Sequence, residues 1–276
     1  MDNIFVLLLT GFVVGTVGTL IGAGGGFILV PLLIIAQPQL PPETITAISI
    51  AIVAANAISG SVAYARSGRI DYKAGILFAL FTIPGSVLGV YSTAYIPKMA
   101  FHIIFGILLL LLAFFLFFSK KQGGHPSAAG INMPGRQTKH KLTDRKGTMY
   151  SYSYNSLTGI IISIIVGYLS PLLGIGGGII HVPALVNQLH FPVYVATATS
   201  HFILAIMATV SVITHLLRGN YDDPMVLRMV LALSAGAVAG AQLGAFLSHK
   251  IKGKTIIRAL AACLGLVGIR ILFGIH

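Results

Sequence analysis

An all-α polytopic membrane fold, made of two homologous halves that each hold one glycine-broken helix and three further spans, is what three features of this 276-residue chain predict. The first is composition. Mean hydropathy is +0.92 and only 9% of residues are charged, so uncharged apolar stretches recur from end to end, unlike in an ordinary soluble domain. The second is an internal duplication. At a constant offset of 152, Gly15, Gly22, Gly24, Gly25, Gly26, Ile28, Val30 and Pro31 fall on Gly167, Gly174, Gly176, Gly177, Gly178, Ile180, Val182 and Pro183. The third is charge placement. Net charge is +12, but seven of the eighteen Lys and Arg lie between residues 120 and 146, as the positive-inside rule expects of a cytoplasmic loop between spans. That placement argues against nucleic acid as a partner and for the lipid bilayer.

Residues 4–21 form the first apolar helix. Met1-Asp2-Asn3 lacks the basic start of a signal peptide, and the run ends in glycines and not in a cleavage site, so this helix is expected to be retained. Gly-x-Gly-Gly-Gly is poor helix material, at roughly 1 kcal/mol per glycine against alanine, so the run reads as helix, unwound turn, helix. After a half span at 27–36, Gln37 to Pro42 makes a turn. Glu43 and Thr44 then cap a helix from about 45 to 65, whose Ser49, Asn56, Ser59 and Ser61 suit the inside of a bundle. A helix from about 74 to 95 carries Pro84, Gly85 and Gly89. The Leu/Phe-rich run at 98–119 faces lipid.

Residues 1–118 thus make a first membrane repeat, 119–153 a basic linker without apolar periodicity, and 154–276 a second repeat. Tyr150, Tyr152 and Tyr154 mark an interfacial aromatic belt where that repeat begins. Its broken helix runs from about 155 to 189, its polar-lined helix from 194 to 217 and its last helix from about 255 to 273. At an offset of 151, Thr46, Ser49, Tyr64, Gly68 and Asp71 match Thr197, Ser200, His215, Gly219 and Asp222. Gly85 and Gly89 match Gly236 and Gly240; these four, with Gly15 and Gly18, are read as helix-packing glycines. If the chain doubles back at each glycine break the halves are inverted; if it continues they are parallel. Inversion is the expectation, because it brings the two breaks together from opposite directions.

In their combination, the paired Gly-x-Gly-Gly-Gly clusters with Pro31 and Pro183 behind them, the duplicated halves and the basic central loop resemble the sulfite exporter TauE/SafE family. The resemblance covers nearly the whole chain. It implies movement of sulfur-containing anions such as sulfite, sulfoacetate or thiosulfate across the inner membrane, usually outward.

The residues themselves suggest how. An unpaired N–H exposed to hydrocarbon costs several kcal/mol, so backbone breaks survive only where buried in protein or lining a watery cavity. A half-helix N-terminus carries free amides and about half a positive charge, and successive glycine amides can form an anion-binding concavity. The candidate site for a small anionic substrate is therefore Gly22, Gly24, Gly25 and Gly26 with Gly174, Gly176, Gly177 and Gly178. His181, in the first turn after the second triplet, is a candidate for substrate contact or proton coupling, followed by His201 and His215. Ser49, Asn56 and Ser200 are candidate cavity donors, and Arg66 a candidate at the mouth. Each polar residue could instead serve helix packing or interfacial anchoring. Glu43, Asp71, Asp222 and Asp223 all fall near helix ends, so protons, if coupled, move through histidine or on the anion. No cofactor or metal is expected. Cys263 is the only cysteine, and there is no nucleophile elbow, no paired carboxylates and no phosphate-binding loop, which argues against an enzyme. An anion channel is the alternative, a non-transporting membrane subunit a lesser one.

Overall fold

The computed structural model describes residues 3–118, 137–145, 147–248 and 264–273, without the side chains of 115–118 and 137–139. The start of the last helix, Cys263 and most of the linker lie outside them. The order is α1 (Ile4–Ile21), α2 (Gly26–Ala36), α3 (Pro42–Ser67), α4 (Tyr72–Thr93), α5 (Lys98–Phe118), β1 (Gln137–Thr143), β2 (Met149–Asn155), α6 (Ser156–Leu173), α7 (Gly178–Asn187), α8 (Val193–Leu217), α9 (Pro224–Leu247) and α10 (Leu264–Phe273). Among the described residues six helices, α1, α3, α4, α6, α8 and α9, are long and apolar enough to cross a membrane. The chain is a multi-pass helical membrane protein, with one small two-stranded sheet among the described residues.

Both glycine clusters interrupt their helices. α1 ends at Gly22 (φ 80°), whose left-handed conformation costs glycine nothing. α6 ends in the same way at Gly174 (φ 68°). At the first break the chain also turns back. A Cβ added to Gly25 would lie 2.7 Å from Val14 Cγ1, so residue 25 sits beside residue 14 of the helix just completed. α2 then leads to Pro42, the first residue of α3. Proline needs no N–H there, so α3 begins three residues earlier than its apolar pattern suggests and Glu43 lies inside its first turn.

Side-chain and glycine contacts fix helix directions. Gly236, Gly240 and Gly244 of α9 lie in turn on Leu8, Phe12 and Thr16 of α1, so these helices run parallel. α9 is also parallel to α3, since Tyr221 just before it donates to the Ala47 carbonyl and Gln242 farther along donates to Ser59. On the other side, Gly159 packs on Phe78, Gly167 on Thr82, and Gly89 on Tyr168, so α6 runs parallel to α4. α4 returns antiparallel to α3 after a tight link at Gly68 to Asp71. α1 and α6 therefore point in opposite directions.

α3 is the central helix: 83% of its apolar window is buried, against 33% for α1. α5 is two-faced, with Phe101, Phe105 and Leu109 buried and Met99, Leu111 and Phe114 exposed. Its Gly106 packs on Leu272 of α10.

The β1–β2 hairpin departs from expectation. Lys139, Lys141 and Ser residues hid its pattern, yet Tyr150, Tyr152 and Tyr154 alternate with Ser151 and Ser153 at the strand period of two. These tyrosines are not a lipid-facing belt. Tyr152 and Tyr154 are buried and close on Phe191 (ring centroids 4.6 and 5.1 Å), and Tyr152 donates to Asp71 Oδ2 at 2.6 Å.

Candidate functional site

The two breaks meet. A Cβ added to Gly26 would fall on the Gly174 carbonyl oxygen and 2.8 Å from Ile175 C, and one added to Gly178 on the Gly22 carbonyl oxygen and 2.7 Å from Ala23 Cα. The contact is reciprocal, each break pressing the first residue of its half-helix onto the other's helix-ending glycine. Val53 of α3 lies at the junction, in reach of Gly24, Gly26 and Gly176. Larger residues at these positions would hold the backbones apart. All eight glycines named from the sequence are buried there.

Backbone donors show what the breaks offer. At the first, Gly22 N donates to Thr19 O, Ala23 and Gly24 N to Gly18 O, and Ile28 and Leu29 N to Gly25 O. The amides of Gly25, Gly26 and Phe27 meet no acceptor among the described residues. Gly25 is left-handed (φ 90°) and the next residue helical, an arrangement that turns successive N–H groups into one concavity. At the second break, Gly177 N donates to Ser170 Oγ at 2.5 Å, Gly178 N to Gly176 O, and Ile180 and His181 N to Gly177 O.

Two helices, α3 and α8, pack on this junction. From α3, Thr46 lies on Gly174, Ser49 Oγ donates to Gly174 O at 2.6 Å, and Val53 lies on Gly176. From α8, Thr197 lies on Gly22 and Leu204 on Gly24, with Ser200 one turn from each on the same face. Ser200 is fully buried, and its hydroxyl has no partner among the described residues.

A polar network brackets the first break. Asn56 Nδ2 donates to Gly24 O (3.2 Å), Thr19 Oγ1 donates to Asn56 Oδ1 (2.9 Å) and faces His201 Nε2 (3.3 Å), and Tyr64 donates to Thr19 O (2.8 Å). Gly60 lets the His201 ring pass, since a Cβ there would lie 2.5 Å from His201 Cδ2. The structure thus joins Ser49, Asn56, Ser200 and His201 to the breaks, and adds Thr19, Tyr64 and Ser170, which the sequence did not single out. Thr19 and Ser170 fall inside apolar runs; only the fold shows that they face a partner.

Three candidates lie elsewhere. His181 occupies the first turn of α7 as expected, but its Nε2 faces Ser163 Oγ at 3.3 Å, about three turns before the second break. His215 closes α8 at the opposite end, with Nδ1 3.1 Å from Asn220 Oδ1, beside an Arg218–Glu43 ion pair of 2.9 Å. Arg66 is exposed in the last turn of α3.

A separate polar cluster lies under the hairpin. Asp71 caps α4 through Ala74 N and accepts from Tyr152. It also lies 2.9 Å from His140 Nδ1, while its own amide donates to Thr199 Oγ1. Burial and the Asp71 carboxylate raise the Tyr152 phenol well above its ordinary range, and burial pushes Tyr154 up to about 12. Arg69 pairs with Asp144 at 3.6 Å and stacks over Tyr194. An open cleft of about 370 Å³ beside the cluster is lined by Lys73, Lys141 and His140, among others.

A helical bundle crossed by two apposed discontinuous helices, with buried unpaired amides where they meet, defines a membrane transporter as a class. Comparison with known proteins agrees. Residues 7–271 match the family model described as sulfite exporter TauE/SafE, and the chain belongs to that family. It is 32% identical to the "Probable membrane transporter protein YunE" of Bacillus subtilis over 274 residues, 97% of each chain. A probable membrane transporter protein of Methanocaldococcus jannaschii is 26% identical over 277 residues (95% of this chain, 93% of the relative), and YdhB of Bacillus subtilis 25% over 262 (95% and 98%). No solved structure matches. The family is one of transporters, not of enzymes.

Proposed function

We propose that this protein is an inner-membrane carrier, working as an exporter, of small sulfur-containing anions such as sulfite, thiosulfate or sulfoacetate, held where the two glycine breaks meet. The observation that carries the reading is the buried junction at Gly22–Gly26 and Gly174–Gly178 with free amides aimed by two half-helices. Amides and half-helix dipoles bind an oxyanion without a lysine or arginine in the membrane, where a full charge is costly to keep. Asn56, Ser49, Ser200 and His201 supply the surrounding polar wall. The opposite directions of α1 and α6, and the reciprocal Gly26–Gly174 and Gly178–Gly22 contacts, support reading the halves as inverted repeats with the linker on the cytoplasmic side. Such a pair rocks about a fixed midplane site, and protons, if coupled, travel on the anion or through histidine.

Purified protein in liposomes tests this. Uptake of labelled sulfite, thiosulfate and sulfoacetate should saturate and be driven by an outward gradient of unlabelled anion. Non-saturating flux without counterflow would make the protein a channel. Absence of flux with all three anions would overturn the proposal.

A further inference from the structure

We infer that the two breaks are not equivalent: the first alone holds the ligand, with Ser200 Oγ as its side-chain donor, while the second is closed by the chain's own Ser170. The inference rests on the anion-carrier reading above and narrows it to one half of the junction.

The sequence offset sets up the comparison. Gly25 and Gly177 are equivalent, as are Gly18 and Ser170. In the second break Ser170 Oγ accepts from Gly177 N at 2.5 Å and takes that donor out of use. In the first, position 18 is glycine and stands against Gly25 N: a Cβ built there would also meet Gly25 Cα at 2.6 Å, so no side chain reaches the amide. Gly25, Gly26 and Phe27 are left as three successive free amides. The second break keeps only Gly176 and Ile179 without acceptors among the described residues, and these are not neighbours. One break presents three successive unpaired amides; the other does not.

Side chains repeat the difference in reverse. Ser49 and Ser200 are equivalent and both fully buried. Ser49 spends its hydroxyl on Gly174 O at 2.6 Å. Ser200, on the α8 face that packs against Gly22 and Gly24, donates to nothing among the described residues. A fully buried hydroxyl without a partner is unfavourable unless something else accepts from it. The same break is the one walled by Thr19, Asn56 and His201. Free donors therefore collect on one side: three amides and a hydroxyl, the donor set for a small oxyanion with several acceptor oxygens.

Two mild variants separate the halves. For Ser200→Ala in proteoliposomes supplied with labelled sulfite or thiosulfate, KM should rise about tenfold or more, the effect of losing a hydrogen bond to a charged group. Thermal stability of the ligand-free protein should hold or rise, because an unsatisfied hydroxyl has gone. Ser170→Ala should do the reverse, lowering stability by uncovering Gly177 N and leaving KM within twofold of wild type. A purely structural serine at 200 would lower stability and spare KM. If Ser170→Ala raises KM while Ser200→Ala does not, the assignment of breaks is overturned though the carrier reading stands. If wild-type protein moves none of sulfite, thiosulfate and sulfoacetate, the carrier reading fails and takes this inference with it.

Discussion

Gly26→Ala is the substitution whose outcome the junction most clearly dictates. Gly26 is the first helical residue of α2 and has no left-handed φ, so helix propensity alone favours alanine there by roughly 1 kcal/mol. Packing opposes it. The new Cβ would lie 2.8 Å from Ile175 C, and closer still to the Gly174 carbonyl oxygen, whereas carbon atoms rest at about 3.5–4.0 Å. The breaks must separate by ~0.7 Å or more, and overpacking of this kind costs about 1–3 kcal/mol. The expected net result is destabilisation of about 0–2 kcal/mol, given those two opposing terms. Gly178→Ala should behave alike, because it meets Ala23 Cα at 2.7 Å. Gly265→Ala in α10 is the control: its nearest neighbour is Ala113 Cβ at 3.7 Å, an ordinary contact, so the same chemical change should be neutral or stabilising. The chain has no tryptophan, so stability is best followed by the fraction of monodisperse protein left after heating in detergent. Gly26→Ala and Gly178→Ala variants that match Gly265→Ala would show that the breaks do not touch.

Other expectations follow from the polar contacts. Asn56→Leu removes the donor to Gly24 O and the acceptor for Thr19, and should lower stability by about 1–3 kcal/mol, with Thr19→Val partly masking the loss in the double variant. Asp71→Ala strips the cap of α4 and the acceptor of Tyr152 at once; protease cleavage within residues 137–155 should quicken while the membrane core stays folded. The hairpin should also loosen in alkali. The folded Tyr154 phenol ionises near 12 and its unfolded form near 10, so the folded state holds more protons between those values, and stability falls as pH rises through them. Tyrosinate absorbance should lag that of free tyrosine and rise together with hairpin cleavage; cleavage that is independent of pH up to 12 would contradict this.

Much of the fold was legible because glycine and proline punctuate apolar runs unambiguously. Gly22 ends α1 where the pattern put it, and Pro42 shifts the start of α3 only slightly. The hairpin was missed because a short strand of alternating Tyr and Ser, next to a basic segment, matches an interfacial belt as well as a sheet. At the site, the glycine triplets were visible as repeats, and their candidate partners Asn56, Ser200 and His201 as polar residues in apolar helices. What each polar residue touches was not visible. Thr19 meets His201 across 182 positions, and His181 turns to Ser163, a pairing set by how α7 lies along α6. Ser170, which the sequence did not single out, accepts from Gly177 N where the second break folds that amide onto it.

The central claim is that a small anion sits against the amides of Gly25, Gly26 and Phe27. Selenite, a heavier analogue of sulfite, makes that visible: crystals of the wild-type protein soaked in it should show an anomalous selenium peak within about 4 Å of those three nitrogens, consistent with N–H···O distances near 2.9 Å plus one selenium–oxygen bond. A peak only at the Lys73–Lys141 cleft under the hairpin, with none at the junction, would contradict the account.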